Sequence, residues 1–134
     1  MKLFVDTGGW VSLALTRDQH HTAGVKLLKD LQKDKIALIT SDYILDEVLT
    51  LVRMRSTHEN AKRIGRTILN SSVVRVERIH ERLWQEAWKI FQRYNDKVWS
   101  FTDCTSFVLM DQMKLKTAFS FDQNFRQYGK DILP

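Results

Sequence analysis

Leu3-Phe4-Val5-Asp6-Thr7-Gly8-Gly9-Trp10 is the stretch on which the reading of the fold turns. Its apolar run predicts a short strand over about Lys2–Val5 that ends on a carboxylate. Asp-Thr-Gly-Gly then suits a turn and a helix start, with the helix expected around Trp10–Leu15. The same alternation recurs along the chain. A second helix follows His20-His21, with Leu27, Leu28 and Leu31 on one face. Strands are predicted near Lys35–Ile39, Val73–Val76 and Thr117–Phe121, and Ile132-Leu133 suits a last short one. Helices are predicted from near Asp42 to Arg55, over about Glu59–Leu69, and through Leu83, Trp84, Ala87, Trp88, Phe91 and Tyr94. Phe107, Val108, Leu109, Met110 and Met113 surround a helix axis, so that helix should be buried. A short helix around Gln123–Tyr128 should stop at Gly129.

Short strands separated by helices predict an α/β fold with a mostly parallel sheet, in which ligands gather beyond the carboxyl ends of the strands. With one Pro, five Gly and no linker-like segment, residues 1–134 are read as a single domain.

Four acids sit where a chain avoids unpaired charge. Asp6 ends the first strand and Asp122 follows the run Ala118-Phe119-Ser120-Phe121. Asp103 opens the nearly all-apolar helix Phe101–Met110, where the helix dipole favours an anion. Glu47 lies among apolar neighbours. At about 100° per residue, Ile44, Leu45, Val48, Leu49, Leu51 and Val52 form one broad apolar face. Glu47 falls inside that face. Asp46 falls on the polar side, with Arg53 as a candidate partner. Each acid also has an ordinary reading: Asp6 and Asp122 as helix caps, Asp103 as a first-turn acid, Glu47 as half of a buried ion pair. Should the four converge, their mutual repulsion calls for a cation, and oxygen ligands suit Mg²⁺ or Mn²⁺.

The 21 Lys and Arg against 16 Asp and Glu give a net charge of +5, which suits a polyanion such as nucleic acid and equally a slightly basic protein surface. No apolar stretch approaches the roughly 20 residues of a membrane span, and no secretion signal is evident at Met1-Lys2. The lone Cys104 excludes an internal disulfide and a Cys-based zinc site, fits a reducing cytoplasm, and reads as a packed thiol. His20, His21, His58 and His80 lack metal-ligand spacing and read as solvated, with His20-His21 at the entrance of the second helix. Trp84 and Trp88 are at core spacing. Asp111 reads as a structural ion pair, and no phosphate-binding Gly-rich loop exists.

Phe4-Val5-Asp6-Thr7, Ser41…Glu47-Val48, Phe101-Thr102-Asp103 and Phe119-Ser120-Phe121-Asp122-Gln123-Asn124-Phe125 together resemble the PIN-domain family, most like the VapC-type toxins and their stand-alone relatives. The resemblance covers nearly the whole chain. It implies a three-layer α/β/α domain with a central, mostly parallel sheet of four or five strands. It implies a Mg²⁺- or Mn²⁺-dependent ribonuclease, the toxin of a toxin–antitoxin pair. By position, Asp6, Glu47, Asp103 and Asp122 match the family's acidic quartet, and Thr7 and Thr102 match hydroxyls beside the metal. Candidate RNA-backbone contacts are Arg53, Arg55, Lys62, Arg63 and Arg66 on two successive helices, plus Lys114, Lys116 and Arg126, which are near the acids in sequence. An antitoxin protein is implied as a partner, and apolar residues on helices two to four would serve it or a homodimer. Two other classes compete. One is a non-catalytic RNA-binding or assembly module of the same fold. The other is a phosphoryl-transfer domain of receiver or dehalogenase type, which Gly8 and the dispersed acids disfavour.

Overall fold

A computed structural model describes residues 1–134. Strand β1 (Lys2–Val5) lies at the centre of a five-stranded sheet, because Leu3, Phe4 and Val5 are apolar on both faces and all three are buried. The other strands are β2 (Ala37–Ser41), β3 (Val74–Glu77), β4 (Thr117–Phe119) and β5 (Asp131–Leu133). They stand in the order β3-β2-β1-β4-β5, and every pairing is parallel. The edge strands carry charge outward, with Arg75 on β3 and Asp131 on β5 exposed, which discourages pairing with another chain.

Parallel neighbours need crossovers, and helices supply them. Helices α1 (Thr7–Ala14) and α2 (His21–Lys33) join β1 to β2. Helices α3 (Asp42–Arg55) and α4 (His58–Asn70) join β2 to β3, and α5 (Glu81–Arg93) and α6 (Phe101–Gln112) join β3 to β4. The short α7 (Asn124–Tyr128) joins β4 to β5. The chain grows from β1 first toward β3 and then, on the other side, toward β5. The order therefore reverses between β1 and β4, and the crevice beyond their carboxyl ends is the natural ligand position of such a sheet. Asp6 follows β1 and Asp122 follows β4.

Three expectations need correction. Helix α1 starts at Thr7, not near Trp10, so Gly8 and Gly9 are helical. Gly9 serves close packing: a β-carbon there would stand 2.7 Å from the carbonyl oxygen of Phe119 and 3.0 Å from Val5 Cγ1. Strand β4 ends at Phe119, because Ser120 turns inward to bond a side chain of β1's end. Trp88 is 39% exposed rather than core, and Phe91 is 43% exposed. Helix α5 buries only the narrow stripe of Leu83 and Ala87, and its aromatic row is wider than that stripe. The buried character of α6 holds, with Asp103 through Met110 all buried, and Gly129 ends α7 with φ of 99°.

Candidate active site

Asp6 occupies the N-cap position of α1 but makes no side-chain cap bond. Its Oδ2 instead accepts the hydroxyl of Ser120 at 3.0 Å, while its backbone amide donates to Phe119 at 3.1 Å. The end of β1 is thus tied to the end of β4. Asp6 is only 6% exposed. Burial foremost, then the charge of Asp103, pushes its carboxyl up to about 7, against weaker pulls from the Thr7 amide and the Ser120 hydroxyl.

Asp103 fulfils its ordinary reading as a first-turn acid. It closes a capping box, donating its amide to Ser100 Oγ at 2.9 Å and accepting the Ser100 amide on Oδ2 at 3.1 Å. The Asn124 side-chain amide donates to the same Oδ2 at 3.1 Å. Both bonds fall on one oxygen, which leaves Oδ1 without a hydrogen bond. Burial, more than the neighbouring charges of Asp122 and Glu47, raises this carboxyl above its ordinary range.

Asp122 is exposed. Its amide donates to Ser120 Oγ at 3.1 Å, and its Oδ1 accepts the Asn124 amide at 2.9 Å. Glu47 is half-buried on α3 and takes part in none of the chain's ion pairs, so the buried-pair reading does not describe it. Asp46 is exposed and does not pair with Arg53.

All four acids line one cavity of about 510 Å³ at the sheet's reversal point. Thr7 lines it too. Its buried Oγ1 has no hydrogen-bond partner, an unmet polar atom beside Asp6. Thr102 does not line the cavity. No three of the acidic groups already stand around one point at coordinating distance, so binding would draw them inward. Carboxylates in this number, an orphaned hydroxyl and an all-oxygen donor set fit a hard divalent cation, which Asp6, Asp103, Asp122 and Glu47 would hold.

Sequence reasoning gave no role to Ser120 and Asn124, which orient three of the acids, nor to Asp18 and His20 in the cavity wall. The His20 ring, read as solvated, stacks on Phe121 with centroids 4.0 Å apart and planes 5° apart. The Asp18 carboxylate accepts the His20 amide at 2.8 Å and fixes that turn. His58 and His80 are exposed, as expected.

The basic candidates separate. Arg55 lines the acidic cavity, and Arg63 lines an adjoining one. Arg53 and Arg126 are exposed away from both. Lys62 and Arg66 are drawn to Glu59, at 3.1 and 3.9 Å. Lys114 and Lys116 flank the start of β4, at the opposite end of the sheet from the acids. The length of α6, roughly 18 Å, separates them from Asp103 despite their closeness in sequence. Asp111 is structural, held by Tyr128 and Lys130, each at 2.6 Å. Cys104 is buried, and burial then Asp103 push its thiol up to about 11, which makes it inert.

Residues 3–131 match the family model of the PIN domain. The 23S rRNA-specific endonuclease VapC20 of Mycobacterium tuberculosis is 33% identical over 127 residues, covering 95% of this chain and 94% of its own. The crystal structure of that protein, described as a sarcin–ricin loop cleaving toxin, superposes with a TM-score of 0.88 over 98% of this chain and 99% of the other. A VapC ribonuclease of Archaeoglobus fulgidus is 28% identical over 140 residues, 98% of this chain and 88% of its own. A chain of VapBC2 from Rickettsia felis, 12% identical with a TM-score of 0.73 and coverage of 98% and 97%, shares the fold. An acid-lined crevice at the reversal of a parallel sheet, with a family model spanning nearly every residue, places the chain: it belongs to the PIN domain family.

Proposed function

We propose that this chain is an endoribonuclease that hydrolyses RNA phosphodiester bonds with Mg²⁺ or Mn²⁺, and that residues 1–134 act as one catalytic domain. The observation that carries the proposal is the meeting of Asp6, Glu47, Asp103 and Asp122 at one cavity, with none of them in an ion pair. When bound, a divalent cation supplies Lewis acidity and offsets charge at the phosphate. Asp6 and Asp103 form the buried base of its site, and Asp122 and Glu47 complete the rim. Ser120 and Asn124 hold three of these carboxylates at fixed angles, as supporting bonds do at metal centres. The Thr7 hydroxyl, lacking a partner, is placed to bond a ligand or water in the cavity.

The name of the mycobacterial relative points to ribosomal RNA, so a 23S rRNA hairpin is the first substrate to test. A toxin's role with an antitoxin partner is part of the same proposal. It is supported by a largely apolar groove of about 840 Å³ among α1, α2 and α4, lined by Trp10, Leu28, Leu31 and Ile64. A homodimer is supported by Trp88 and Phe91, which leave an aromatic strip of α5 exposed. Cytoplasmic action fits this RNA substrate, and no helix is long and apolar enough to cross a membrane.

Cleavage of the hairpin in Mg²⁺ or Mn²⁺, with a chelator control, tests the proposal. Asp6→Asn and Asp103→Asn should each abolish cleavage while leaving the circular dichroism unchanged. If both variants cut like the wild type, the assignment fails.

A further inference from the structure

A second cavity, about 820 Å³ and mostly polar, adjoins the acidic one. The two share Asp18 and Arg55 as a common wall. Arg17, from the α1–α2 connection, and Arg63, from α4, complete a set of three arginines lining the second cavity. Two of these lie on elements far apart in sequence from the third, so their meeting is a product of the fold.

None of the three is spent on the protein itself. The chain makes seven ion pairs, and Arg17, Arg55 and Arg63 enter none of them. The contrast within α4 is informative. Lys62 and Arg66 both turn to Glu59, whereas Arg63, between them in sequence, lines the cavity unpaired. The cavity's two acids are already engaged: Asp18 with the His20 amide at 2.8 Å, and Glu59 with Lys62 at 3.1 Å. Helix α4 also begins at this cavity, through Ser56 and Thr57, so its positive end adds to the field.

We propose that Arg17, Arg55 and Arg63 form a phosphate-binding subsite that holds the RNA backbone on one side of the bond cut at the adjoining acids. The proposal rests on the nuclease reading and adds to it where the strand runs. The acidic cavity by itself repels a polyanion, so affinity must come from cations beside it. Guanidinium groups suit this task, since their planar forks match phosphate oxygens. Arg55, facing both cavities, would contact the phosphate nearest the scissile one. Arg17 and Arg63 would take the next along the strand. Such contacts fix the register of the strand without reading its bases.

The test measures binding and cleavage separately. Binding of a fluorescein-labelled 12-nucleotide RNA is followed by anisotropy in EDTA across a series of salt concentrations. Arg17→Gln and Arg63→Gln should each weaken binding several-fold and lower the log–log salt slope by about 0.7, and the triple Gln variant by about 2. Lys at the same positions should restore most of the slope. Lys114→Gln and Lys116→Gln, at the far end of the sheet, should leave it unchanged. In Mn²⁺, Arg17→Gln and Arg63→Gln should raise KM and spare kcat. A triple variant that melts like the wild type and keeps the full slope overturns the subsite, whatever the cleavage assay shows. A wild type that binds with an arginine-dependent slope but cuts no RNA in either metal overturns the nuclease reading and leaves the subsite standing.

Discussion

Ser120 donates its hydroxyl to Asp6 Oδ2 at 3.0 Å, a bond between residues 114 apart in sequence. The Ser120 hydroxyl oxygen in turn accepts the backbone amide of Asp122 at 3.1 Å. One small side chain therefore couples the first acid of the chain to the last, across the reversal of the sheet. Ser120→Ala should destabilise the fold by about 1–3 kcal/mol, since it strands a buried carboxyl. Urea unfolding at pH 6 checks this, and Mn²⁺ affinity should fall with it.

Asn124 joins Asp103 and Asp122 through a single amide, at 3.1 and 3.4 Å. Asn124→Ala should lower metal affinity or cleavage by about 10- to 100-fold, the usual cost of losing a group that orients ligands. Isothermal titration with Mn²⁺ and a cleavage time course read the two effects apart.

The pH dependence of the metal-free protein follows from Asp6. Its carboxyl titrates near 7 in the fold and near 3.8 when free, so the folded chain keeps a proton that the unfolded chain releases between those values. The stability contributed by that proton is whole below about 3.8 and is lost as pH rises through about 7. In EDTA, Tm should fall over this window. Asp6→Asn should flatten the fall and melt higher than the wild type at pH 8. Asp103, shifted the same way, should leave a residual slope of the same sign.

Adding Mn²⁺ at neutral pH should reverse the ranking. A cation binding only the folded chain at about 100 times its Kd adds about 2.7 kcal/mol. The wild type should gain Tm, and Asp6→Asn and Asp103→Asn should gain little. Equal gains in all three would place the metal elsewhere.

Gly9→Ala should destabilise by about 1–3 kcal/mol through overpacking, because the new methyl group would meet the Phe119 carbonyl at 2.7 Å. Thermal melts check it. Gly8→Ala, where the nearest atom is 4.0 Å away, should be nearly neutral.

The order of strands and helices was legible because apolar periodicity is local, and the acids were legible because each breaks such a pattern. Glu47 stood out as a charge inside an apolar helix face; the fold buries Ile44, Val48 and Val52 of that face and leaves Glu47, with Leu51 and Arg55, bordering the cavity of the other acids. Asp18 and His20 gave no such signal. They lie in an aperiodic connection, and their placement depends on the His20 ring meeting Phe121. Lys114 and Lys116 misled for the opposite reason, since nearness along the chain counts for little when a whole helix intervenes. Trp88 fitted a core period, but the width of the α5–α6 contact is a tertiary fact.

The capping box of Asp103 has a consequence for how such a chain would decay. This residue starts the most buried helix as well as facing the cavity, so losing it would injure the scaffold and the chemistry together. The Glu47 side chain enters no ion pair. A lineage released from selection for cutting would shed its acid at 47 first, and at 103 it would settle on asparagine before alanine.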